Sequence, residues 1–100
     1  MVEERMYEMV LIFDTGLEDE KVEDRLTKLQ TRISEGGGQM EDVTRWGKRR
    51  LAYPIKKKES GNYVVFTFRT GTDQLEELER GLKLDEQVLR YLIVQKERRS

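Results

Sequence analysis

The sequence predicts an α+β fold: four antiparallel strands in one sheet, two helices on a single face, in the order strand, helix, strand, strand, helix, strand. Three observations predict it. Two stretches carry apolar residues at helical spacing, and four carry short runs rich in β-branched and aromatic residues. Glycine, proline and Asp/Asn clusters punctuate the joins. The strand–helix–strand unit thus occurs twice within 100 residues, a length that suits one domain. Right-handed crossovers fold two such units into the ferredoxin-like arrangement. Residues 1–96 are read as that single domain and 97–100 as a short polar tail.

Met6 to Phe13 is a nearly continuous apolar run and reads as a buried strand, broken by Asp14-Thr15-Gly16. Glu18, Asp19 and Glu20 suit the positive end of a following helix. Val22, Leu26, Leu29 and Ile33 then form one apolar stripe, and Gly36-Gly37-Gly38 closes the helix. A second strand runs from about Met40 toward Ala52, with a bulge or an exit from the sheet expected at Trp46-Gly47. Tyr53-Pro54 cannot continue a central ladder, because proline has no N–H to donate. Glu59-Ser60-Gly61-Asn62 reads as the turn into a third strand, Tyr63 to Phe68. Thr72 or Asp73 is expected to cap a second helix carrying Leu75, Leu78 and Leu82, with Gly81 weakening it. Val88 to Val94 is the fourth strand.

Charge is segregated along this chain. It holds 19 basic and 20 acidic residues, yet Arg45 to Lys58 contains seven basic residues and no acidic one. The remainder, with 12 basic against 20 acidic, carries a net charge of −8 around a +7 segment. A local field of one sign attracts polyanions even when the whole molecule is nearly neutral. The same segment holds Trp46, the only tryptophan, and Tyr53, rings on which a base or ribose can stack. Arg45, Arg49 and Arg50 offer planar donor forks that match phosphate. A flexible hairpin kept soluble by lysines is the plainer reading of the same residues. Trp46 fits either a core position or a nucleic-acid-facing one.

Catalysis finds little material here. Histidine and cysteine are both absent, which removes the commonest general base, the soft nucleophile, disulfides and thiolate metal sites. No phosphate-binding glycine loop occurs, since Gly36-Gly37-Gly38 follows a helix instead of opening one. The acidic clusters Glu18-Asp19-Glu20 and Glu76-Glu77-Glu79 read as solvated helix faces. No catalytic residue, metal, cofactor or small-molecule substrate is expected. The acidic opening is unlike a signal peptide and no run approaches a membrane span, so a soluble, cytoplasmic protein with no membrane partner is expected.

The sheet offers a second surface. Val64, Phe66 and Phe68 fall on one face of the third strand and Tyr63, Val65 and Thr67 on the other, with the phenylalanines assigned to the helices. In the fourth strand Leu89, Tyr91 and Ile93 alternate with Val88, Arg90, Leu92 and Val94. Both sets are largely apolar, so a partner protein is a natural cover for the face without helices, with Arg90 as a polar anchor.

The run Trp46-Gly47-Lys48-Arg49-Arg50-Leu51-Ala52-Tyr53-Pro54-Ile55-Lys56, followed by Gly61-Asn62-Tyr63, resembles the hallmark stretch of the bacterial small-subunit ribosomal protein six family. The opening Met6-Tyr7-Glu8 strand and the Val88–Val94 strand resemble the family's first and last, so the resemblance covers essentially the whole chain. It implies a non-enzymatic structural constituent of the small ribosomal subunit, bound to the central domain of its RNA together with small-subunit ribosomal protein eighteen. It also implies an RNA-facing group of Arg45, Lys48, Arg49, Arg50, Tyr53 and Lys56, with Arg5 and Tyr7 as additions; the capacity to stack on a base or ribose adds Trp46. Arg90, Tyr91 and Leu92 are then the expected protein-partner residues, with adjacent RNA as the other candidate for that strand. The ending Glu97-Arg98-Arg99-Ser100 is unlike the long acidic tail of some members, so no tail function carries over. Two alternatives share the topology. An RNA-recognition-motif-like domain would stack single-stranded RNA on Tyr63, and an acylphosphatase-like enzyme would need an arginine-lined loop that Asp14-Thr15-Gly16-Leu17 does not supply.

Overall fold

In the computed structural model, which describes residues 4–96, the periodicities resolve into β1 (Glu4–Asp14), α1 (Asp19–Glu35), β2 (Gln39–Ile55), β3 (Lys58–Gly71), α2 (Thr72–Leu84) and β4 (Val88–Gln95). The tail expected at 97–100 lies outside the described residues. The four strands form one antiparallel sheet in the order β2-β3-β1-β4. The ferredoxin-like class read from the sequence is the observed one.

Alternation decides which face each strand residue takes. Tyr7, Met9, Leu11 and Phe13 of β1 and Val64, Phe66 and Phe68 of β3 point toward the helices. There they meet Val22, Leu26, Leu29 and Ile33 of α1 and Leu78 and Leu82 of α2 in one buried core. Both phenylalanines therefore lie where the alternation puts them. The first helix ends in a Schellman motif: Gly37 N–H donates to Ser34 C=O at 3.0 Å and Gly38 N–H to Ile33 C=O at 2.8 Å. Gly37 holds φ at +88°, a value that favours glycine. No helix among the described residues is long and apolar enough to cross a membrane.

Three local expectations are corrected. Glu59 to Asn62 is not a turn; it lies within β3, and the reversal is at Lys56-Lys57, between the paired residues Ile55 and Lys58. Both lysines are left-handed, with φ of 50° and 67°, the geometry of a two-residue type I′ hairpin. Lysine carries none of the usual signals for that turn, and its Cβ costs roughly 1 kcal/mol or more there. Replacing Lys57 with glycine should therefore stabilise the fold by about 1 kcal/mol, read as a higher urea midpoint. A midpoint that stays put or falls would mean the turn is not strained.

The second correction is the start of α2. Gly71 occupies the cap position; Thr72 and Asp73 already lie inside the first turn, where Asp73 Oδ1 accepts from Gln74 N–H at 2.9 Å without being the cap. The third lies in β4. A register shift opposite Ile12/Phe13 breaks its alternation. Val88 joins Tyr91 and Ile93 on the helix side, while Leu89 packs with Ile12 and Leu51 on the other face. A bulge places two successive residues against one, so strict period-two reading fails there.

Candidate nucleic-acid interface

The basic segment forms most of β2, an edge strand, and continues into the turn. β2 and β3 stay paired past Asp14, where β1 ends opposite Gly61; the hairpin they form, its base alongside β1 and its tip beyond it, is a two-stranded arm. Pro54 falls between Arg50 and Ile55, where no cross-strand pairs form, and its missing N–H costs no ladder bond.

A bulge sits at Trp46, as expected: the register shifts between Arg45 and Gly47, and Gly47 takes φ of +80°. The bulge sorts the cations. Arg45, opposite Val64, lies on the helix side. Its Nε and Nη2 donate to the two carboxylate oxygens of Glu23 on α1, each at 2.6 Å. This fork holds the Glu23 carboxyl below its usual range and raises the Arg45 guanidinium. Past the bulge, Arg49 and Tyr53 fall on the open face with Leu51, while Lys48 and Arg50 alternate to the other side of the arm. Lys48, Arg49 and Arg50 are exposed, and none forms an ion pair with a described residue. Three arginines on the body are neutralised: Arg25 binds Asp85 at 2.7 Å, Arg69 lies 3.0 Å from Glu41, and Arg80 lies 3.1 Å from Glu77.

On the open face the rings of Trp46 and Tyr63 stack, with centroids 6.1 Å apart and 15° between planes. The Arg49 guanidinium lies 5.2 Å from the Trp46 ring centroid. Trp46 is 47% exposed, so it is not a core residue. The arm's side chains also reach back across the sheet. Arg90 Nη1 on β4 donates to the hydroxyl of Tyr53 on β2, and Lys56 Nζ donates to Val88 C=O at 3.3 Å. Beneath them, Leu51 packs with Ile12 and Leu89. What remains open is a groove of about 240 Å³ lined in part by Val10, Tyr53, Tyr63, Arg90 and Leu92. Leu92 and Val94 continue it as exposed apolar residues.

Most of the expected site residues are therefore brought onto the arm, but three are placed differently. Tyr7 is 5% exposed and packs against Phe68 in the helix-side core, so it offers no face to RNA. Arg5 stands opposite Thr70, at the end of β1 away from the arm, where it donates to Gln95 at 2.9 Å. Tyr91 turns to the helix side and donates to Glu79 at 3.3 Å; burial, then the Glu79 charge, raises its phenol pKa. Only Arg90 and Leu92 of the expected partner triad share the open face, and Arg90 is already engaged by Tyr53. Two participants were absent from the expected set: Glu23, which holds Arg45, and Tyr63, which carries Trp46. Alternation had placed Tyr63 on the open face; nothing in the local sequence linked Glu23 to a strand 22 residues later.

Among the described residues, no group of three His, Cys, Asp or Glu side chains could hold a metal ion. The model of the family described as Ribosomal protein S6 matches residues 6–95. The small ribosomal subunit protein bS6 of Natranaerobius thermophilus is 42% identical over 93 residues, spanning 93% of this chain and 97% of that protein. Its counterpart in an Arthrobacter species is 43% identical, with 93% of this chain and 92% of that protein covered. The crystal structure of 30S ribosomal protein S6 from Thermotoga maritima is similar with a TM-score of 0.86 at 30% identity, over 94% of this chain and 89% of that one. Fold, length and sequence agree from the first strand to the last, and the chain belongs to the bacterial ribosomal protein S6 family.

Proposed function

We propose that this structural protein of the small ribosomal subunit grips the central domain of the small-subunit ribosomal RNA with its β2–β3 arm, alongside small-subunit ribosomal protein eighteen. It is not an enzyme; its role is to help assemble and hold that region of the ribosome. The observation that carries the RNA reading is the clustering of cations without ion pairs: Lys48, Arg49 and Arg50 stand exposed in three successive positions without a carboxylate, whereas Arg25, Arg69 and Arg80 on the body are bound to acids. Unneutralised cations on an acidic body direct a polyanion to one place. The apolar groove beside Arg90, Leu92 and Val94 is the surface offered to the protein partner.

The test is binding to a central-domain RNA fragment across a salt series, with and without protein eighteen. Four to six phosphate contacts predict a log–log salt slope of about −3 to −5. Alanine at both Arg49 and Arg50 should reduce that slope by about 1.5 to 2 and weaken binding about tenfold or more. Arg45→Ala should matter less, because Glu23 already occupies that fork. Joint binding should be tighter than binding by either protein alone. Equal affinity without the partner would remove the pairing, and no binding under any condition would remove the RNA reading.

A further inference from the structure

We propose that Trp46, braced by Tyr63 and flanked by Arg49, is a seat for one unpaired nucleobase. The inference rests on the RNA reading above and names the part of the RNA that this corner of the arm would take. Its basis is the bulge. Gly47 pairs with Tyr63 and, lacking a side chain, leaves the Tyr63 ring uncovered on the open face. The extra residue of the bulge, Trp46, brings its indole to that place and stacks there at 15°. A ring serving only to cover glycine and tyrosine would sink against the sheet. This one keeps 47% of its surface exposed.

Three properties suit a base. The indole is held nearly parallel to a second ring, so little orientational freedom remains to be lost on stacking. A Cβ placed on Gly47 would meet nothing within 4 Å, so there is open space beside the platform. Arg49, without an ion pair among the described residues, lies over the indole ring, 5.2 Å from its centroid; a base entering on that face displaces the long, unpaired side chain, which can then meet the phosphate of the nucleotide whose base stacks. Duplex RNA keeps its bases stacked inside the helix, so the ligand class is a base splayed from a loop, bulge or junction.

The single tryptophan makes the test direct. Titrating the protein with the central-domain RNA fragment should quench Trp46 fluorescence in step with binding, without the blue shift that burial by protein gives. Trp46→Leu should lose about 5- to 150-fold in affinity. It should leave the salt slope unchanged, because stacking releases no counterions. Trp46→Phe should recover part of the loss. Circular dichroism and a thermal melt establish that each variant is folded. Full affinity in folded Trp46→Leu, with no quenching in the wild type, would overturn the seat and leave phosphate binding by the arm standing. A blue shift on adding protein eighteen alone, with pairing lost in Trp46→Leu, would give the ring to the protein interface and overturn the seat as well. Failure of the wild type to bind the RNA at all would remove both readings together.

Discussion

Phe68→Ala should cost about 4 kcal/mol of folding stability, the expectation for emptying a fully buried phenylalanine site. Phe68 is 0% exposed. Its ring stands 5.6 Å from that of Tyr7 and 5.4 Å from that of Phe66, so it joins the two central strands of the sheet beneath the helices. Neither neighbour can collapse into the space without breaking its own contacts. Domains of this size are stable by about 5–15 kcal/mol in total, so the variant should stand close to the edge of folding. Urea denaturation reads this as a much lower midpoint with an unchanged slope. A loss under about 1.5 kcal/mol would mean the core repacks and is not the rigid platform the arm stands on.

Gly61→Ala is expected to cost about 2–3 kcal/mol, from overpacking where a cavity cannot open. A Cβ at position 61 would lie 2.3 Å from Ile12 Cγ2, with Leu51 Cδ2 at 3.6 Å. The glycine is buried at the point where β3 passes between Ile12 on β1 and Leu51 on β2. Its missing side chain lets those two side chains meet over the strand, on the open face. Ile12 is β-branched and has little rotamer freedom with which to yield. The clash can be isolated by adding Ile12→Ala, which removes the offending methyl. The double variant should be less destabilised than the two single losses summed, by about 1 kcal/mol or more. Simple additivity would show that no clash forms. Because Leu51 lies within the basic segment, Gly61→Ala should also misplace the arm and weaken RNA binding in a still-folded protein.

The sequence made the elements legible wherever burial imposed a period. The α1 stripe at Val22, Leu26, Leu29 and Ile33 became the buried face of that helix, and the Phe66 and Phe68 alternation placed the core correctly. Legibility failed where geometry departs from type. Lysines in a left-handed turn give no signal at residues 56 and 57, and the glycine-bearing stretch after them carries the turn signal instead. A bulge reversed the sides of Val88 and Leu89. At the candidate site, charge segregation was visible in the linear sequence, but its neutralisation was not. Only the fold reveals that Arg45 is held by Glu23 while Arg49 lies by an indole. The family resemblance puts Tyr7 among the RNA-facing residues, whereas its parity with Met9 and Leu11 sends it to the core.

The strand order has a consequence for the time at which this molecule comes into being. β1 is synthesised first, yet it lies between β3 and β4, which are made late. Val10 must wait for Val65 on one side and for Leu92 on the other. No shorter N-terminal piece of the chain contains both neighbours of its own first strand. Closing loops of such length precedes any reward from the contacts they bring, which slows folding and defers completion of the sheet until β4 has been made. The arm is the exception. β2 and β3 are joined by a two-residue turn and can pair locally on the microsecond scale typical of hairpins. The part of the chain that bears the basic charge can thus begin to pair before the rest is made, and it is fixed only when Leu51, Tyr53 and Lys56 find Ile12, Arg90 and Val88.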